Sequence, residues 1–360
     1  MKLKNLNLIN FRNHNNVYFD FDDNINIFLG NNGAGKTNIL ESIYVLAITK
    51  SFRTSNDKNL INFEKNFCRI ESTILKNNIN YFFDVLISSK GKRVSINENV
   101  YKKISDYLSN LNVILFSQDD IELIKGSPSY RRKYINIEIS QFNNKYLYIL
   151  NQYNLLLKNR NEYLKKVSID NYDKFYIDIL NNQLMEKALL IYKFRFDFFE
   201  KMNFFIKEIY NNFFSYNISL KYINNLDIDF YDEKKISDFY LNKMKSNIKN
   251  DIFSGYTQFG PHKDDFEILF NNKKLKEVGS QGQQKLFLFC FKICEIKIFK
   301  LVTNDYPILL LDDLFSDLDI EKRNEIFKLI NNEVQVFISS TDLTSINNEI
   351  IKSSKIFNIK

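Results

Sequence analysis

The chain has 360 residues, enough for two domains or one elaborated domain with a sizeable core. Lysine and arginine outnumber aspartate and glutamate by 50 to 43, and the net charge of +7 permits an anionic partner without demanding one. Two histidines and three cysteines exclude a disulfide framework and most metal architectures, and with no secretory leader or apolar span legible, a cytoplasmic protein without membrane contact is expected.

Leu3, Leu6, Leu8, Ile9 and Phe11 begin an apolar strand, and residues 17–21 and 25–29 alternate as strands do. A glycine-rich octet follows, then an amphipathic helix from about 37 to 49 carrying Ile39, Leu40, Ile43, Val45 and Leu46. Residues 67–116 read as a meander of short antiparallel strands ending in the apolar run 112–116. No glycine or proline lies between Pro128 and Gly255. There Tyr134, Ile137, Phe142, Tyr146, Ile149, Tyr153 and Leu156 predict one long helix, and a second is expected from about 175 to 210. A turn near 165–173 would fold the two into an antiparallel arm. Strand character returns at 251–259 and 266–270. A long helix after Gln281, a strand at 308–312, a helix at about 320–331 and a strand at 334–339 complete the pattern. Alternating strands and helices predict a mainly parallel α/β sheet. The expected domains are a head half at 1–127, a helical arm at 128–250 and the second head half at 251–360.

Composition sharpens the motifs. There are 34 Phe, 21 Tyr and 41 Lys, but 9 Arg, 9 Gly, 3 Ala and no Trp, the pattern of an AT-biased genome. The aromatics therefore carry no message about nucleic-acid stacking, whereas each remaining glycine marks a backbone that needs one. Three of the nine stand in Gly30-Asn31-Asn32-Gly33-Ala34-Gly35-Lys36-Thr37, which fits G-x-x-x-x-G-K-[ST] after a strand and before a helix. Such a loop turns its N–H groups toward phosphates, with Lys36 reaching the β- and γ-phosphates of ATP and the Thr37 hydroxyl binding Mg²⁺. Residues 307–313 form an apolar strand ending in Asp312 and Asp313. Read as the second nucleotide motif, Asp312 holds Mg²⁺ and Asp313 polarises the attacking water; read alone, they are two solvated acids at a turn.

Gly279-Ser280-Gln281-Gly282-Gln283-Gln284 resembles the signature motif of ABC-type ATPases. The resemblance implies a second γ-phosphate site from Ser280, Gly282 and Gln283 at a helix N-terminus, although Ser280 also suits a plain helix cap. Ser316-Asp317-Leu318-Asp319 looks like the loop that joins two such sites, with Asp319 beside the nucleotide. In this class the signature acts across a dimer. The 244 positions from Lys36 to Ser280, with a helical arm between, point to the SMC-like branch and its DNA clients.

One family then matches along the whole chain: the sequence is similar to RecF, the bacterial recombination mediator ATPases. The resemblance rests on Leu8-Ile9-Asn10-Phe11-Arg12-Asn13, on the helix after the glycine-rich loop, on Ser51-Phe52-Arg53-Thr54-Ser55, on residues 119–132, on Gly260-Pro261-His262-Lys263-Asp264-Asp265, and on the signature and paired acids. It implies an α/β fold: an ABC-type P-loop head of mixed sheet flanked by helices, with an antiparallel β subdomain and an inserted helical arm. It implies a weak ATPase whose ATP-dependent homodimer clamps single-stranded and gapped double-stranded DNA. Slow hydrolysis would release the DNA and promote recombinase loading with RecO- and RecR-type mediators.

Three positions depart from the family. Gln118 stands where a proline is expected, and is a candidate Q-loop residue. Lys263 replaces an arginine. The switch-histidine position reads Ser339-Ser340-Thr341-Asp342. Several residues keep two readings. Arg53 is a γ-phosphate or DNA contact, or a surface charge. Arg131, Arg132 and Lys133, with Lys125 and Lys158, are a DNA-phosphate face or a solvated helix face. Lys273, Lys274 and Lys276 read as a solvated hairpin, and His262 as a structural hydrogen-bonding group or a neighbour of the nucleotide. A transporter-type ATPase subunit shares every nucleotide motif but neither the spacing nor the arm. A non-hydrolysing structural relative is disfavoured by the intact Lys36, Thr37, Asp312, Asp313 and Ser280.

Overall fold

The computed structural model describes residues 1–213, 217–226, 228, 231–313, 328–330, 332–343 and 346–360. In chain order, strands β1 (Lys2–Leu3), β2 (Asn5–Phe11), β3 (His14–Asp20) and β4 (Ile25–Leu29) lead to helix α1 (Lys36–Ile48). Strands β5 (Phe67–Lys76), β6 (Ile79–Ser88), β7 (Gly91–Ile96) and β8 (Asn99–Val100), helix α2 (Ile104–Tyr107) and strand β9 (Val113–Phe116) follow. Next come α3 (Glu122–Lys125), α4 (Pro128–Phe142), α5 (Asn144–Leu164), α6 (Lys174–Phe213), β10 (Ile218–Ile223), α7 (Glu233–Ser246) and α8 (Ile248–Ser254). The chain continues through β11 (Asp265–Phe270), β12 (Lys273–Lys274), α9 (Leu275–Val278), α10 (Gln281–Thr303), β13 (Ile308–Asp312), β14 (Val336–Ser340) and β15 (Ser354–Asn358). Two compact units form: Met1–Ile121 with Gln281–Lys360, and Glu122–Ser280.

Two sheets build the first unit. The antiparallel sheet runs β3-β2-β5-β6-β7-β8, with β1 on β5. Its strands alternate, as in β2, where Leu6 and Leu8 are buried and Asn5, Asn7 and Ile9 are half-exposed. That period of two marks a sheet with one wet face. The second sheet is parallel, in the order β15-β4-β14-β13-β9. Its strands are continuous apolar runs, and β9 and β14 are buried at every position, as sheets covered on both faces are. Helix α1 lies against strands of both sheets, and every residue from Ile39 to Ile48 is buried. Contact on two sides is why this helix is closed to water all round. Phe19, Phe21, Phe28 and Phe337 meet edge-on or stacked at centroid separations of 4.8–6.3 Å. Because the sheet is parallel, the C-terminal ends of β4, β9, β13 and β14 line one edge, the edge where α/β folds place their ligands.

The second unit holds the helices. Ser127 caps α4, and Pro128 opens it. The single helix expected through 134–156 is two, because Asn143 leaves helical geometry and its side chain accepts the Tyr146 N–H, ending α4 and starting α5. Helix α6 runs 40 residues and packs on α5 across the turn expected at 165–173. Strand β11 pairs antiparallel with β10 and carries β12 on its other edge. Residues 251–280 therefore belong with the helices, so this unit runs past 250 to Ser280. Of the strand expected at 251–259, residues 251–254 lie instead in helix α8, ended by Gly255 at φ 70, and 255–259 are irregular. A short apolar run does not reveal its period, and the left-handed glycine cap decides for helix.

Candidate active site

The glycine-rich loop joins β4 to α1. Its tip, Asn31, Asn32 and Gly33, is exposed. Gly33 at φ 86 and Gly35 at φ 101 make the left-handed turns that L-residues resist. Gly35 is the N-cap of α1 and brings no capping side chain, so the first-turn N–H groups of α1 remain available to an anion. Gly30 is required by packing, since a Cβ there would lie 2.4 Å from the Ile359 carbonyl oxygen. The Lys36 ammonium is buried inside the loop, donating to Gly30 O at 2.7 Å and Asn31 O at 2.9 Å.

Asp312 ends β13 on the same edge. The Thr37 hydroxyl donates to Asp312 Oδ1 at 2.9 Å, which leaves the threonine lone pairs for a cation. Burial pushes the Asp312 carboxyl up, against the hydrogen bonds from Ser339 and Thr37 and the charge of Arg53; the neighbouring Asp313 charge raises it further. Asp313 follows at φ 49, a left-handed conformation that Asp and Asn tolerate best. Gln118 lies in the turn after β9, whose Phe116 pairs with Leu311 of β13, so it stands exposed on the edge that carries Asp312.

A polar frame backs the loop. His14 Nε2 lies 3.3 Å from Gly35 O, and Asn13 bridges Ala34 O and the Asn38 side chain. Glu41, fully buried on α1, accepts two bonds from Arg12 at 2.9 and 2.6 Å and one from Ser51 at 2.5 Å. Arg53 donates to Asn38 at 2.7 Å and lies 3.6 Å from Glu41, which stations this exposed cation beside α1. Sequence reasoning singled out Arg53 but missed the role of Glu41 as its anchor. The signal was a carboxylate on the apolar side of the α1 pattern. Below β9, the Asp120 carboxylate takes the Ser117 N–H at 2.7 Å and the buried Lys292 ammonium of α10 at 3.2 Å.

The signature residues are not gathered as compactly. Ser280 is exposed and closes the second unit, and Gln281 opens α10. Gly282 is exposed, with open space where a Cβ would stand, and Gln283 is half-exposed. Asp319, with Ser316, Asp317, Leu318 and most of the helix expected at 320–331, lies outside the described residues.

Of the cations considered for DNA, Arg131 is bound bidentately to Asp265 at 2.6 and 2.8 Å and to Gly126 O. Arg132 donates to Asp264 O at 2.8 Å, and Lys133 is exposed. The segment 260–265 is internal to the second unit. His262 Nε2 lies 3.0 Å from Thr257 O, which can accept only, so Nδ1 accepts the Tyr153 hydroxyl at 2.7 Å. Burial brings the imidazole down to about 4. Asp264 accepts from Arg195 at 2.8 Å and from Tyr222, and burial carries its carboxyl up to about 6 despite these partners. His262 is thus the structural hydrogen-bonding group of its two readings. In the hairpin, Lys274 pairs with Glu267 at 2.5 Å.

The model of the RecF/RecN/SMC N-terminal domain matches residues 2–358. The DNA replication and repair protein RecF of Streptococcus agalactiae is 37% identical over 362 residues, covering 100% of this chain and 96% of that one. The chain belongs to the RecF family. RecF of Clostridium botulinum is 36% identical over 360 residues and is covered to 98%. A solved structure of the recombination mediator protein RecF with ATP, in the RecFOR pathway, superimposes with a TM-score of 0.90 at 30% identity, over 96% of this chain and 93% of that one. The Smc head bound to the C-terminal winged-helix domain of ScpA shares the fold, with a TM-score of 0.55 at 17% identity. The RecF family is an ABC-like ATPase family, and this chain has its head fold, with antiparallel and parallel sheets and a helical arm. Among the described residues no helix is long and apolar enough to cross a membrane.

Proposed function

We propose that this RecF-family protein is a DNA-repair ATPase in which ATP closes a two-headed dimer on DNA and slow hydrolysis reopens it. The observation that supports this most is the convergence of Lys36, Thr37, Asp312 and Asp313 on one sheet edge. The loop N–H groups and the α1 N-terminus hold the phosphates, and Lys36 exchanges its loop carbonyls for β- and γ-phosphate oxygens. Thr37 and Asp312 suit Mg²⁺, a hard cation that takes oxygen ligands and keeps waters. Among the described residues no cluster of three His, Cys, Asp or Glu competes for a metal. Bound there, the ion would offset charge on the β- and γ-phosphates. Asp313 accepts a hydrogen bond from the attacking water and aims it at the γ-phosphate. Ser280, Gly282 and Gln283 of one protomer complete the site of the other, with Asp319 between the two sites. Two shared nucleotides then give the differential affinity that a switch between open and closed dimers needs.

DNA is held through its phosphates, with Arg53, Lys125, Lys133 and Lys158 exposed among the cations considered, and Arg131 and Arg132 contributing only where their present partners allow. By family, the task is recombinase loading with RecO- and RecR-type partners on single-stranded or gapped DNA. Anisotropy of a labelled gapped duplex tests this reading. Binding should require Mg-ATP, weaken with Mg-ADP, vanish in Lys36→Ala and fall steeply with salt. Equal affinity in every nucleotide state and in the variant would contradict it.

A further inference from the structure

Ser339 occupies the strand beside Asp312, and the parallel register sets the two residues side by side. Its side chain is buried, at 1% exposure. The hydroxyl does two things at once. It donates to Asp312 Oδ1 at 2.7 Å, the same oxygen that takes the Thr37 hydroxyl, and it accepts the Asp313 N–H at 2.9 Å. The ladder between β13 and β14 ends at the Asp312 and Ser339 pair, so the next N–H, that of Asp313, turns to this side chain. Asp313 sits at φ 49 there. A left-handed residue in such a place persists where its surroundings hold it. The bond from Asp313 N–H to Ser339 is such a hold.

We propose that Ser339 is a positioning residue for ATP hydrolysis, a single hydroxyl that aims the Asp312 carboxylate and fixes the Asp313 backbone. It acts through the two acids. Its two bonds couple the acid that faces the cation to the acid that faces the water, so that neither can swing independently. The inference rests on Asp313 as the water-polarising group.

The shape and the hydroxyl of this residue are separable. Threonine keeps the hydroxyl, valine has the shape of threonine without it, and alanine is smaller than both and fits if valine does not. The full chain carrying Ser339→Thr, Ser339→Val, Ser339→Ala or Asp313→Asn would be compared for ATP affinity, KM and single-turnover hydrolysis. Ser339→Thr should hydrolyse ATP close to the wild-type rate. Ser339→Val and Ser339→Ala should lose about ten-fold or more in kcat with KM and ATP affinity little changed, the loss expected for one hydrogen bond to a charged group. Wild-type kcat in Ser339→Val and Ser339→Ala, with Asp313→Asn inactive, would overturn the positioning role alone. Wild-type turnover in Asp313→Asn would overturn the reading beneath it, and this inference with it.

Discussion

At the scale of single residues, the glycine-rich loop separates two reasons for having no side chain. Gly33 has φ 86 and open space around it, so alanine there meets backbone strain alone, about 1 kcal/mol. Gly30 faces the Ile359 carbonyl oxygen at 2.4 Å, and a methyl group would push β15 from β4. Thermal melts without nucleotide should therefore place Gly30→Ala well below Gly33→Ala. This loop was legible in the sequence because glycine is so scarce that three in eight residues announce a constrained backbone. The role of Ser339 was not legible. Its partners stand 26 and 27 positions away and meet it only through the register of two parallel strands. Nor does a sequence show whether a cation is committed: Arg131 and Lys133 share one helix, yet one is bound to Asp265 and the other is exposed.

At the scale of elements, periodicity and apolar runs located α1, α6, α10 and most strands of both sheets, but not β15. It failed where a local hydrogen bond overrides the pattern, as at Asn143, and where a run is too short to show a period, as in α8. The segment 260–265 stood out by resemblance, and the structure gives it a packing role. It ties α4, α5, α6 and β10 together through Asp265, His262 and Asp264. Two of its groups oppose each other in acid. His262, at about 4 when folded and 6.5 when free, stabilises fully above pH 6.5 and loses that contribution as pH falls toward 4. Asp264, at about 6 when folded and 3.8 when free, stabilises fully below 3.8 and loses its contribution as pH rises through 6. Between about pH 4 and 6 the two slopes oppose each other. His262→Gln removes the first, so its melting temperature should rise, relative to its own value at pH 7, when the pH is lowered to about 5. The wild type should gain less over the same step.

At the scale of the whole molecule, the two halves of the first unit are joined within one fold. Strands β4 and β9 from the N-terminal part and β13, β14 and β15 from the C-terminal part share a single parallel sheet. Lys36 and Asp312 could not share an edge otherwise. That return of the chain explains why motifs so far apart in sequence form one site, and it leaves residues 122–280 as a separate compact unit. If ATP joins two such molecules, as proposed above, the mass of the full chain carrying Asp313→Asn doubles with it. Asparagine suits φ 49 as well as aspartate does, so the substitution removes the acid and spares the turn. Light scattering with Mg-ATP should give twice the 43.0 kDa of one chain, and with Mg-ADP 43.0 kDa. A mass of one chain in both, at concentrations where bound ATP is measured directly, would contradict the two-headed site.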